Sequence, residues 1–332
     1  MSALTFGLFA DLHLDIMADG GERLETFLAD CLERRVDFVI SAGDFTYPRD
    51  TSRCNCPPER LPVNLKNAML RPSPVPKEGI LARYAAFPLP HYHTLGNHEM
   101  DFSTKEEAVR LLGMPGRYYD FTAKGWHFLV LDTNHYRDGA GELCGYCRGD
   151  YFGQPRGHWL DEEQLAWLAE RLRACPEPAV LVSHQPLYPR AAGGGLQNYE
   201  ALGRVLRDTG DRVRMCIYGH CHIDEYAWQD GVLHYCINSI SNHWAGEGYA
   251  CRRFDPATEE QFPNLQYTFP YQGPVYAIVT LDERGVRIRG RQSRFIPPSP
   301  AELGYTAAPA SPGVESREFA WGAHGNGSPY SG

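Results

Sequence analysis

LTFGLFADLH, residues 4–13, sets a short apolar run directly against an acid and an imidazole. The run reads as a first β-strand. Asp11 and His13, two positions apart, would point to one side of an extended segment. A helical stretch comes next, GERLETFLADCLERR (21–35), with Leu24, Phe27, Leu28 and Leu32 at helical spacing. Further apolar runs are DFVISAG (37–43), PHYHTLG (90–96), HFLVLD (127–132), AVLVSH (179–184) and VRMCIYG (213–219). Between the later ones, DEEQLAWLAERLRAC (161–175) and NYEALGRVLRD (198–208) read as helices. This alternation predicts an α/β fold with a mainly parallel sheet covered by helices. Beyond about residue 224 the texture changes to strands and turns, with a hairpin around Asp282–Gly285.

The organisation expected is one domain over 1–296, with insertions at about 50–90 and 136–158, and a Pro/Gly/Ser-rich irregular tail over 297–332. With 43% hydrophobic and 12% aromatic residues, the 332-residue chain can bury a large core, which excludes global disorder. A net charge of −9 argues against a broad basic face, so nucleic acid is not an expected partner. No apolar run approaches the ~18 residues that span a bilayer, so no membrane is expected either. The N-terminus lacks a basic leader, and the expected location is the cytoplasm. Of ten cysteines, six are scattered singly. The other four form Cys54-x-Cys56 and Cys144-x-x-Cys147, open to three readings: reduced thiols, a structural zinc site joining two loops, or disulfides.

The residues that carry chemistry sit just beyond the strands. The ends of the apolar runs deliver Asp11 and His13, then Asp44, then Asn97 and His98, then His184, then His220 and His222. In open α/β sheets the carboxyl ends of the strands line one crevice, where ligands bind. Taken singly, each residue has an ordinary structural reading. Asn97 could cap the helix over 104–112, and His184 could be a satisfied core histidine. Taken together they supply what two divalent ions need, a shared carboxylate and several terminal ligands. Oxygen and imidazole donors without thiolate suit manganese, iron or zinc. In GHCH (219–222), Cys221 would fall between the two histidines on the opposite side of an extended backbone, away from any metal.

This ordered set resembles the calcineurin-like metallophosphoesterase superfamily over roughly residues 4–290. The matching motifs are Asp-Leu-His at 11–13, Gly-Asp at 43–44, Gly-Asn-His-Glu at 96–99, His184 and Gly-His-Cys-His at 219–222. The resemblance implies a four-layer α-β-β-α sandwich with a dinuclear site at the carboxyl ends of the strands. It implies that Asp11, His13, Asp44 and His222 hold one metal. Asp44 would bridge to a second metal held by Asn97, His184 and His220. His98 would be catalytic, beside the bridging oxygen and the leaving group, while Asp15 and Glu99 would be supporting residues. The implied reaction is in-line attack of a metal-bridging hydroxide on a phosphodiester or pyrophosphate bond of a small nucleotide-like or phospho-alcohol substrate.

The first, third and last motifs are similar to those of class III cyclic-nucleotide phosphodiesterases. EEQLAWL (162–168), VSHQPLYP (182–189), NYEAL (198–202) and YAIVTLDERGVRIRGR (276–291) look like the manganese-dependent ADP-ribose/CDP-alcohol diphosphatases. That second family often has Gln where this chain has His13. Tyr136, Arg137, Arg148, Arg190, Asn198 and Tyr199 are candidates to contact substrate, with Tyr146, Tyr151 and Phe152 beside them, through base stacking or a phosphate clamp. Rival functions are a phosphomonoesterase or protein phosphatase on the same site, a nuclease, and a non-catalytic scaffold on the same fold.

Overall fold

The computed structural model describes residues 2–322 apart from 48, 49, 72, 156, 193, 211 and 310. Strand β1 (Leu4–Phe9) leads through α1 (Gly20–Glu33) to β2 (Phe38–Ser41). After α2 (Val63–Leu70) and α3 (Lys77–Ala85) come β3 (His91–His93) and α4 (Lys105–Leu111). The next strands are β4 (Tyr119–Ala123), β5 (Trp126–Val130) and the hairpin β6 (His135–Arg137) with β7 (Leu143–Gly145). Helices α5 (Glu162–Ala174) and α6 (Tyr199–Asp208) alternate with β8 (Ala179–Val182) and β9 (Val213–Tyr218). Then come β10 (Glu225–Gln229), β11 (Val232–Cys236), β12 (Asn242–Trp244), α7 (Pro256–Gln261) and β13 (Thr268–Pro270). The last strands are β14 (Ala277–Leu281), β15 (Gly285–Gly290) and β16 (Arg317–Ala320).

These strands build two six-stranded sheets, in the orders β16-β15-β14-β1-β2-β3 and β10-β11-β9-β8-β5-β4. The second is mainly parallel, as expected; the first is not, with three of its five pairings antiparallel. The β1–β2–β3 and β5–β8–β9–β11 pairings are parallel, but β14, β15, β16, β4 and β10 join antiparallel. Short hairpins can join only antiparallel neighbours, and the Asp282 turn is one, closed by its amide bonding to Gly285 O at 3.1 Å.

The inner faces of the sheets meet through aromatic rings. Phe128 on β5 touches Phe6 on β1 at 5.6 Å, Phe38 on β2 at 5.2 Å and Phe121 on β4 at 5.0 Å between centroids. Phe128→Ala is expected to lower stability by about 3–5 kcal/mol, because a close-packed ring cluster cannot collapse into the cavity. Urea unfolding measures that loss, and a change under ~1 kcal/mol would mean the two sheets are not held together there.

Helices form the outer layers. Helix α1 buries Leu24, Phe27, Leu28 and Cys31 against the first sheet, while Leu32, one step round the helix, is 45% exposed. Helices α5 and α6 bury Leu168, Leu172, Leu202 and Leu206 on the second sheet, against Leu129, Leu181 and Cys216. Helix α4 is capped by Thr104, whose side chain and Glu107 form a reciprocal pair, so Asn97 is not the cap.

Part of the stretch expected to be an irregular tail is ordered structure. Residues 317–320 form β16, pair with β15 and bury Phe319. The open edge of β15 accepts any extended segment, so composition alone did not forbid a strand there. The rest of that stretch from 323 lies outside the described residues. Among the described residues no helix is long and apolar enough to cross a membrane.

Candidate metal centre

The polar residues named from the strand ends converge at one edge of the two sheets. Asp11 and His13 come after β1, Asp44 after β2, and Asn97 and His98 after β3. From the second sheet, His184 comes after β8, and His220 and His222 after β9. None of the metal-ligand candidates that follow β1, β2 or β9 sits on extended backbone. Asp11, His13, Asp44, His220 and His222 all have positive φ, between 49° and 68°. Such angles are uncommon for residues with a Cβ and cluster at functional sites. The paired residues therefore share a side through turns rather than through strand alternation, which corrects the extended geometry expected for 11–13 and 220–222.

The turns are locked from behind. Asp11 N–H donates to Gly43 O at 2.9 Å and His13 N–H to Asp44 O at 3.1 Å. The buried Glu99 carboxylate accepts the backbone N–H groups of Asp44, Phe45, Thr46 and Gly96 at 2.6–3.2 Å, tying the β2 and β3 loops together. Burial and the neighbouring Asp44 charge push Glu99 up to about 7 despite those donors. Asp15 likewise accepts from Thr46 and Tyr47 and pairs with Lys77. The motif glycines are there because backbones touch side chains. A Cβ on Gly96 would lie 2.1 Å from Asp44 Oδ1, and one on Gly43 would lie 2.5 Å from His184 Nδ1.

Two groups of donor atoms result, Asp11/His13/His222 and Asp44/His184/His220. In the second, His184 Nδ1 lies 2.8 Å from Ala42 O. A carbonyl only accepts, so Nδ1 carries the hydrogen and Nε2 presents its lone pair. That Nε2 faces Asp44 Oδ2 at 3.1 Å, Asn97 Oδ1 at 3.1 Å and His220 Nδ1 at 3.2 Å. Acceptors meeting at this distance repel unless a cation sits among them, a proton in the metal-free chain or a metal ion in its place. In the first group His222 Nδ1 donates to Asn242 O at 2.6 Å, leaving Nε2 against His13 Nε2 at 3.2 Å and Asp11 Oδ1 at 3.4 Å. Asp11 Oδ1 is buried and has no hydrogen-bond donor, an arrangement costly without a counter-charge. Asp44 Oδ2 reaches toward both groups, 3.1 Å from His184 and 4.0 Å from His13. The donor set therefore fits two metal ions.

The electrostatics agree. Burial opposes ionisation of Asp44, but His184 and His98 hold it well below the usual carboxylate range. Burial above all pushes His13 down to about 3, leaving a neutral imidazole. Burial works against charge on His184 as well, yet Asp44 raises it to about 9. That is an attraction for positive charge at the point where the lone pairs meet, and a metal ion would displace the proton.

His98 stays out of both groups. Its Nδ1 lies 2.6 Å from Asp101 Oδ2, and its backbone N–H donates to Asp44 Oδ1 at 2.8 Å. Asp101 is fully buried and also accepts from Tyr151 OH at 2.5 Å. Burial disfavours the imidazolium, but Asp101 and Asp44 raise His98 to about 10. Asp101 was not among the residues singled out from the sequence; its i,i+3 spacing from His98 was the available signal.

A cleft of about 570 Å³ opens over His13, Asp44, Asn97, His98, His220 and His222. Its walls include Asn64, Tyr151, Phe152, Trp244, Glu247 and Tyr305. None of the six principal candidates for substrate contact lines it. Tyr136 is buried and packs on Tyr146, itself stacked behind Tyr151. Arg137 lies over Trp159 at 4.5 Å, Arg148 makes two 3.0 Å bonds to Glu107, and Arg190 lies over Tyr188. Asn198 bonds both backbone groups of Leu160, and Tyr199 bonds Asp230. Tyr151 and Phe152, from the second insertion, do reach the cleft.

All ten cysteines are free thiols, and neither group of ligand atoms contains one. The loops bearing the two Cys pairs do meet, with Asn55 N–H donating to Arg148 O at 2.6 Å. Their four thiols form no three-ligand cluster among the described residues, so the structural zinc and the disulfides both lack support. Cys221 donates to Ala192 O at 2.8 Å.

A family model described as calcineurin-like phosphoesterase matches residues 4–224. Among solved structures the chain is similar to a dimetal phosphatase from Danio rerio, with 18% identity over 88% of this chain and 98% of that one and a TM-score of 0.56. It is also similar to PhoD, with 15% identity over 96% of this chain and 69% of that one and a TM-score of 0.50. At these identities the likeness is one of fold. No curated protein matches the chain.

Proposed function

Since the chain belongs to the calcineurin-like phosphoesterase family, we propose that it hydrolyses phosphodiester or pyrophosphate bonds of a small nucleotide-like or phospho-alcohol substrate. The observation that carries this reading is the pair of donor clusters, with Asp44 Oδ2 reaching from one toward the other, beside a His98–Asp101 couple. Asp11, His13 and His222 would hold one ion and Asn97, His184 and His220 the other, with Asp44 common to both. Manganese, iron and zinc suit this set of carboxylate, amide and imidazole donors. When bound, the ions would supply Lewis acidity toward a phosphoryl oxygen and lower the pKa of a water they hold.

The chain's own residues do the rest. Ala42 O and Asn242 O fix the tautomers of His184 and His222, so each Nε2 is presented as a donor to a cation. Asp101 holds His98 by Nδ1, which leaves Nε2 to give a proton to the departing alkoxide or to bond a phosphoryl oxygen. His98 is the catalytic residue and Asp101 positions it. The scaffold reading needs a degenerate site, and here every donor position is filled.

Chelation tests the centre. Metal-stripped protein is expected to be inactive, and manganese, iron or zinc added singly should restore turnover of bis-p-nitrophenyl phosphate faster than of p-nitrophenyl phosphate. A preference for the monoester would move the reading to a phosphomonoesterase. Full activity after complete chelation would remove the metal mechanism altogether.

A further inference from the structure

The cleft walls carry a charge pattern that bears on the substrate. Among the described residues, no lysine or arginine lines the cleft. Four cations on the surrounding elements are committed elsewhere: Arg148 to Glu107, Lys77 to Asp15, Lys105 to Asp132 and Arg60 to Gly153 O. Away from the metal-ligand candidates and His98, Glu247 is the charged side chain among the described lining residues, exposed to solvent beside the aromatic rings of Tyr151, Phe152, Trp244 and Tyr305 and the amide of Asn64. Trp244 is 36% exposed, one of the few large apolar side chains presented to solvent. Its only ring neighbour among the described residues is Tyr267, 6.4 Å away.

Recognition of a second phosphate calls for Arg or Lys, whose N–H groups bond its oxygens while cancelling its charge. This wall offers a carboxylate instead, so a second anionic group beyond the metal centre would meet repulsion. Aromatic faces and a carboxylate favour the opposite partner, a flat uncharged ring or an organic cation. We propose that the cleft selects single-phosphate diesters, with an uncharged or cationic second substituent, over diphosphates, and that Glu247 and Trp244 enforce the choice. This rests on the phosphoesterase reading above and decides between the two bond types it names.

The test compares metal-reconstituted wild type with Glu247→Lys. The substrates are glycerophosphocholine, bis-p-nitrophenyl phosphate, ADP-ribose and CDP-choline. Wild type should favour the single-phosphate diesters in kcat/KM. Glu247→Lys should shift that ratio about tenfold toward the diphosphates, the scale of reversing one partly solvated charge. Trp244→Ala should raise KM for the two single-phosphate diesters with kcat little changed. Binding is read separately by calorimetry in metal-loaded His98→Ala, where glycerophosphocholine should bind more tightly than ADP-ribose and Glu247→Lys should narrow the gap. Wild type preferring diphosphates, or Glu247→Lys altering both classes equally, overturns the proposal. If no phosphoester is cleaved, the phosphoesterase reading fails while the calorimetric ratio still judges the selectivity.

Discussion

Asp44→Asn is expected to reduce bound metal from two ions per chain to one or none, and to lower turnover by at least about 10²-fold, as when one preorganised electrostatic contact is lost. The reason is geometric. Asp44 Oδ2 is the atom that reaches toward both ligand groups, and Asn would offer there either a neutral carbonyl or an N–H that repels a cation. The fold should survive, because Asp44 Oδ1 holds only the His98 N–H, which an amide oxygen can still accept. Elemental analysis alongside circular dichroism separates loss of metal from loss of structure. Two ions and full activity in the folded variant would refute Asp44 as the shared ligand.

His98→Ala is expected to behave differently, keeping both ions and losing about 10²–10⁴-fold in kcat, the usual contribution of a positioned acid or base. Asp101→Asn should lower kcat less and leave metal content unchanged, since the amide can still hold one ring nitrogen but no longer stabilises the cationic ring. If Asp101 works through His98, the double variant should be no slower than His98→Ala alone. Additive losses would mean Asp101 has its own contact with substrate. Metal lost from His98→Ala would make His98 a ligand rather than a catalytic residue.

What could be read from the sequence divides along a physical line. The strands and the donors at their ends were legible because each motif is local. Phe38–Ser41 and Asp44, or Val213–Tyr218 with His220 and His222, lie within a few residues of each other. The turn geometry was not legible, because periodicity assumes extended backbone and these donors have left-handed angles. The cleft wall was still less so. Trp244, Glu247 and Tyr305 reach the cleft from segments far along the chain, with no spacing to mark them. Arg137 and Arg148 were singled out for their charge, but Trp159 and Glu107, which engage them, become neighbours only on folding. Strand β16 was hidden by its Pro/Gly-rich surroundings, since what makes it a strand is the open edge of β15.

The five left-handed donors have an evolutionary consequence. A residue with a Cβ held in that conformation costs roughly 1–2 kcal/mol, whereas glycine adopts it freely. Glycine at Asp11, His13, Asp44, His220 or His222 would relax the metal-free chain while deleting a donor from the cleft edge. Relief of that strain pulls against keeping the donors, while the part-buried hydrogen bonds from His220 N–H to Asp11 and from His98 N–H to Asp44 pull the other way. A relative that kept the two sheets but carried glycines at these five positions would preserve the backbone path of the centre without its donors.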